Sequence, residues 1–131
     1  MKAYTLDTHI LLWHLTGQRR KLGRAAQRAF AEAERGDALL YVSTISLIEL
    51  WDLNQRSGGL FDFGAVVRQL LRAAQFVFVP FEAEDVFLYD QLARIPEGRD
   101  RLIAIVSRKL EAPLITVDSA SIACGVVTIA A

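Results

Sequence analysis

Runs of four or five apolar residues recur between longer stretches of helical periodicity, and this alternation leaves few folds open to the chain. The runs at 2–6, 39–42, 76–79, 113–117 and 126–129 read as short buried strands. Helical spacing fills the intervals at 8–15, 23–35, 63–74, 81–93 and 100–110, and Ser43-Thr44 reads as the N-cap of a further helix ending near 55. Ser57-Gly58-Gly59 and Ile95-Pro96-Glu97-Gly98 interrupt the periodicity as loops, and 119–123 reads as a short helical turn. Strands that alternate with helices imply an α/β fold with a short, mostly parallel sheet covered on both faces. In such sheets ligands bind beyond the carboxyl ends of the strands, near a switch in strand order.

The 131 residues, 53% apolar and 23% charged, suit one globular domain spanning 1–131. No apolar run approaches the roughly 20 residues that cross a bilayer. Met1-Lys2-Ala3-Tyr4 leads straight to Asp7, without the pattern of a signal peptide. The single Cys124 forms no intramolecular disulfide and no Cys/His zinc pattern is present, so a reducing cytoplasm is the expected compartment. Fifteen basic and fifteen acidic residues balance, which counts mildly against nucleic acid as a partner. Clustering tempers this: Arg19, Arg20, Lys21, Arg24 and Arg28 form one basic group, and Arg99, Arg101, Arg108 and Lys109 another. Each group is equally readable as a solvated helix face.

Four acids stand out. Asp7 ends the first strand and Asp118 follows the strand at 113–117, each at a strand-to-helix junction where N-capping explains it as well as chemistry does. Asp100 opens a helix, where an acid complements the dipole, and Arg99 and Arg101 flank it as potential ion-pair partners. Glu49 lies in Ile45-Ser46-Leu47-Ile48-Glu49-Leu50-Trp51, apolar in nearly every helical direction. Such a helix reads as buried, so Glu49 requires a cation, a proton or a basic partner. An α/β sheet could bring the four acids to one edge. Like charges a few ångströms apart raise one another's pKa, and a hard divalent cation relieves the conflict. All-oxygen ligation selects Mg²⁺ or Mn²⁺, either of which assists phosphodiester hydrolysis. Thr8, Ser46, Thr116 and Ser119 are close enough in sequence to orient these acids, or are plain cap and turn residues.

Four segments together resemble the PIN-domain family, and within it the VapC-type toxins of bacterial and archaeal toxin–antitoxin pairs. Leu6-Asp7-Thr8-His9-Ile10-Leu11-Leu12-Trp13 is similar to the opening motif, and Ser43-Thr44-Ile45-Ser46-Leu47-Ile48-Glu49-Leu50 to the second. Asp100-Arg101-Leu102-Ile103-Ala104 resembles the third, and Leu114-Ile115-Thr116-Val117-Asp118-Ser119-Ala120 the fourth. The resemblance implies a three-layer α/β/α sandwich with a five-stranded sheet and Mg²⁺- or Mn²⁺-dependent cleavage of RNA. It implies homodimerisation and a small cognate antitoxin. It makes Asp7, Glu49, Asp100 and Asp118 the metal-binding and catalytic acids, with Thr116 in support; Thr8, next to Asp7, is read as a second supporting hydroxyl from its position alone. Two departures stand: Glu97-Gly98-Arg99-Asp100 replaces the Asp-Pro-Phe-Asp run frequent in the third motif, and the stretch 51–55 lacks the usual basic residue. Apolar residues including Trp51, Leu60 and Phe61 suit either a dimer face or the core.

Competing functions fit less well. A haloacid-dehalogenase-like phosphotransferase requires a second Asp two residues after Asp7, where His9 stands, and a receiver-type domain requires a late lysine that Lys109, on a helix, does not provide. The alternative of a different class is a PIN-like protein-binding module with weak or no nuclease activity, motivated by the altered third motif and the neutral charge.

Overall fold

A computed structural model describes residues 1–118, 122, 125 and 128–130. The order of elements is β1 (Lys2–Leu6), α1 (Thr8–Leu15), α2 (Arg19–Glu34), β2 (Ala38–Ser43), α3 (Ile45–Arg56), α4 (Phe63–Arg72), β3 (Phe76–Val79), α5 (Val86–Gln91), α6 (Gly98–Leu110) and β4 (Leu114–Ile115). The strands form a parallel sheet in the order β3-β2-β1-β4. Among the described residues the sheet has four named strands, where the sequence suggests five. The expected strand at 126–129 lies partly outside the described residues. Its described part runs beside β4: Ile129 bridges Leu114 in parallel, and the Leu114 N–H donates to the Thr128 carbonyl at 2.8 Å.

Alternation along β2 sends Ala38, Leu40 and Val42 into a core built with Ile10, Leu11 and Leu12 of α1 and Ala26, Ala29, Phe30 and Ala33 of α2. That spacing on α2 is the apolar stripe that packs a helix on a sheet. Gly23 breaks α2 with φ at +77°, so residues 19–22 form a separate first turn and the long helical segment begins where the periodicity places it. A second cluster, Leu92, Ile95, Ala104 and Ile105, joins α5 and α6, and α6 also contacts β1 and β2. Helices therefore cover the sheet from both sides. Truncating Leu40, fully buried in the first core, to alanine is expected to cost about 2–5 kcal/mol, measured by urea denaturation.

Several boundaries move for local reasons. The helix expected at 81–93 is shorter, because the Asp85 carboxylate accepts the Glu82 N–H at 2.9 Å and a 3₁₀ turn at Ala83–Asp85 precedes α5. Helix α6 begins at Gly98, since the Glu97 carboxylate accepts the Asp100 N–H at 3.1 Å and caps it. At the third helix Thr44 makes no side-chain cap bond; the Ser43 hydroxyl accepts the Ile45 N–H instead, at 3.3 Å. Strand β4 stops at Ile115 because the Thr116 hydroxyl turns back to accept the Asp118 N–H. At the amino end of the sheet, the buried Glu32 carboxylate holds Lys2 at 2.9 Å and the Tyr4 hydroxyl at 3.0 Å. No helix among the described residues is long and apolar enough to cross a membrane.

Candidate active site

Strand β1 has β2 on one side and β4 on the other, so the strand order reverses beside it. This switch opens a crevice beyond the carboxyl ends of β1 and β4. Asp7 follows β1 directly, and its N–H donates to the Ile115 carbonyl at 3.1 Å, extending the pairing with β4. Thr116 and Asp118 follow β4, while Glu49 enters from α3 and Asp100 from the first turn of α6. All four acids are half-buried.

Two threonines organise them. One Asp7 oxygen accepts the Thr8 N–H at 2.7 Å, and the other accepts the Thr116 hydroxyl at 2.5 Å. The same Thr116 oxygen takes the Asp118 N–H at 2.9 Å, so one side chain ties the ends of β1 and β4 together. Thr8 is buried, and its hydroxyl donates to Glu49 Oε1 at 2.7 Å, with Ser46 Oγ 2.8 Å away. Asp7 thus serves as the N-cap of α1 and also anchors the link to β4; the two readings of it are compatible.

The electrostatics single out Asp100. Its carboxyl is pushed up to about 7, first by burial, then by the negative charges of Asp7, Asp118, Glu97 and Glu49. Capping does not explain its position, because Glu97 performs that task. Neither flanking arginine neutralises it. Arg99 pairs with Asp52 of α3 at 2.9 Å. Arg101 is spent on the Ile95 carbonyl at 2.5 Å, the Tyr89 hydroxyl at 3.2 Å and the Pro96 carbonyl at 3.3 Å, fixing the loop that launches α6. Glu49 is also raised, by burial first; the Thr8 hydrogen bond opposes this and the charge of Asp7 adds to it.

Two sequence expectations change, and an open reading of Leu60 and Phe61 is divided between them. Helix α3 is not buried all round: Ile48 and Trp51 are 54% and 48% exposed, so Glu49 is constrained by Thr8 and the nearby acids rather than by an enclosing apolar helix. The basic group at 99–109 is largely consumed internally, with Lys109 bound to Asp85 at 3.1 Å and Glu82 at 3.2 Å. Phe61 packs against the main core while Leu60 is exposed. Ser119 and Cys124 lie outside the described residues. Glu97, which the sequence offers as a substitute for the upstream acid of the third motif, caps α6 and adds its charge to Asp100, while the Arg99–Asp52 pair, which spans 47 positions and leaves no local trace, was missed.

Among the described residues no three Asp, Glu, His or Cys side chains close on a single point as a ready metal cage. The donor set nevertheless fits a hard cation: every candidate is a carboxylate, and no lysine or arginine among the described residues pairs with Asp7, Glu49 or Asp100. Mg²⁺ commonly keeps several waters and needs only one or two direct carboxylates.

A family model for the PIN domain matches residues 4–123. The chain belongs to the PIN-domain family. Members of this family are generally nucleases that use divalent metal ions. Two solved structures share the fold. A chain of the VapBC2 complex of Rickettsia felis, bound to a DNA fragment from its promoter, aligns with TM-score 0.69 and 19% identity over 97% of this PIN domain and 96% of that chain. A chain of a toxin–antitoxin complex from Klebsiella pneumoniae aligns with TM-score 0.63 and 17% identity, covering 94% and 92%. No curated protein matches the sequence.

Proposed function

We propose that this PIN domain is a Mg²⁺- or Mn²⁺-dependent ribonuclease and the toxin of a toxin–antitoxin pair. The observation that carries the nuclease reading is the convergence of Asp7, Asp118, Glu97 and Glu49 on Asp100, at the sheet's switch point, with both adjacent arginines engaged elsewhere. Burial of Asp100, together with repulsion from these acids, calls for a counter-charge. Asp7, Glu49, Asp100 and Asp118 would hold the ion, and it would supply Lewis-acid activation at a phosphate oxygen and at water.

The chain's own groups have separable roles. Thr116 fixes the Asp7 carboxylate against the backbone of Asp118, so two acids from different strands keep one spacing. Thr8 holds one Glu49 oxygen and so fixes the position of that carboxylate. Asp100, about half protonated at neutral pH while no cation is present, gives up that proton when a positive charge arrives. RNA as substrate and an antitoxin partner are supported by the motif resemblance to VapC-type toxins and by fold likeness to two toxin–antitoxin complexes. Homodimerisation and a cytoplasmic location belong to the same reading.

Purified protein is expected to cleave RNA with Mn²⁺ or Mg²⁺ and to stop in EDTA. Expression is expected to arrest growth, with relief by the short open reading frame next to the gene. Cleavage that persists in EDTA would sink the metal site. Harmless expression of an active nuclease would remove the toxin reading and leave the enzyme.

A further inference from the structure

A shallow groove lies along α3, lined by Trp51, Asp52, Gln55, Arg56 and Arg99, with a volume of about 390 Å³. That volume falls among those of small-ligand sites. Asp52 follows Glu49 by three residues, which on a helix is nearly one turn and about 4.5 Å along the axis. The groove therefore adjoins the acids. Arg99 marks the boundary: it pairs with Asp52 at 2.9 Å, and it also feels the negative charges of Glu49 and Glu97.

The composition of the groove selects its occupant. Trp51 is 48% exposed, and its neighbours in the groove are polar or charged, with two guanidiniums against one carboxylate that Arg99 already neutralises. An occupant must therefore offer a flat or apolar surface to the indole and an anion to the guanidinium that remains. A single-stranded nucleic acid meets both needs at once, since a base has a π-face for the indole and a phosphate for the guanidinium. Gln55 adds an amide that bonds a base edge in either polarity.

We propose that Trp51, Gln55 and Arg56 form the subsite for a nucleotide flanking the cleaved bond, with its base stacked on Trp51 and its phosphate on Arg56, beside the Arg99–Asp52 pair. The inference rests on the ribonuclease reading and extends it to a place where sequence context is read. It also returns to this surface, through Arg56 directly after it, the basic charge that the stretch 51–55 lacks.

The test uses a fluorescein-labelled single-stranded RNA of about twelve nucleotides, mixed in sequence, with Ca²⁺ in place of Mg²⁺. Trp51→Ala is expected to weaken binding roughly tenfold, and Trp51→Phe to keep most of the affinity. One abasic position, moved along the RNA, is expected to cost the wild type the same factor at one site and Trp51→Ala nothing further. Arg56→Gln is expected to lower the salt slope of binding by about one. Unchanged affinity in Trp51→Ala, or identical abasic profiles for the two proteins, overturns the subsite. So does a change in sedimentation with RNA binding intact, which would make this face a protein interface. If Mn²⁺-dependent cleavage is absent while the abasic pattern holds, the nuclease reading falls and the RNA groove stands. Normal cleavage with a flat Trp51 response gives the reverse.

Discussion

Asp7→Asn is expected to reduce metal-dependent RNA cleavage on the order of a hundredfold or more, with the fold intact. Metal-assisted charge stabilisation is worth several kcal/mol in a transition state, and each 1.36 kcal/mol is tenfold in rate. Asparagine keeps the shape and removes the charge. Its carbonyl can still accept the Thr8 N–H, while its amide faces a Thr116 hydroxyl that previously donated to a carboxylate. The link between β1 and β4 is thereby weakened but retains its backbone pairing through the Asp7 N–H. A second readout separates a lost charge from a damaged fold. Asp7 is the first charge, after burial, among the causes that raise Asp100, so the variant should titrate Asp100 at lower pH. Wild-type cleavage rates in Asp7→Asn would refute the proposed site; a lost rate with an unchanged Asp100 titration would indicate that the two carboxylates are not coupled.

The second large effect is a pH dependence with opposite signs in the absence and presence of the ion. The Asp100 carboxyl stands at about 7 in the folded protein, against an ordinary value of 3.8. A raised carboxyl binds its proton more tightly when folded, so its stabilising contribution is complete below about pH 4 and is lost as pH rises to about 7. Glu49, also raised, contributes in the same direction. Asp85 is lowered: burial opposes this, but the Glu82 N–H and Lys109 outweigh it, so its contribution runs the other way. The informative quantity is consequently the difference between wild type and Asp100→Asn. In EDTA, thermal unfolding should show the variant gaining on the wild type as pH climbs from 4 to 7. With saturating Mg²⁺ the order should reverse near neutral pH, because an ion that binds only the native state stabilises it and needs the ionised carboxylate. A difference that does not vary with pH in EDTA would mean that Asp100 is solvated like an ordinary surface acid.

Much of the architecture was legible in the chain, for identifiable reasons. The spacing of Leu22, Ala26, Ala29, Phe30 and Ala33 and the alternation of Ala38, Leu40 and Val42 each record one buried face, and burial is what periodicity reports. Asp7 and Asp118 were conspicuous because they interrupt apolar strands. Other features were closed to sequence because they depend on which elements meet. Nothing local distinguishes Arg99, bound to α3, from Arg101, bound to its own preceding loop. Exposure of Ile48 and Trp51 likewise follows from how α3 lies against its neighbours, and it reversed the inference that an apolar helix must be enclosed. The boundary errors all came from side chains that take backbone partners, at Asp85, Glu97 and Thr116. Pattern analysis treats such residues merely as polar.

The pairing of β1 with β4 has a consequence for when the protein acquires its chemistry. Thr116 reaches Asp7 across 109 positions of chain, and Thr5 lies in register with Leu114. Closing so long a loop is slow relative to forming the local β1–α2–β2 contacts. On a ribosome, β1 emerges early and waits, with Asp7 in place but without the strand that carries Thr116 and Asp118. A chain interrupted before Leu114 would retain β1, β2 and β3 and much of the main core, yet hold Asp7, Glu49 and Asp100 without Thr116 and Asp118. The candidate site is therefore assembled only when β4 has docked, with completion of the sheet rather than with the appearance of the first acid.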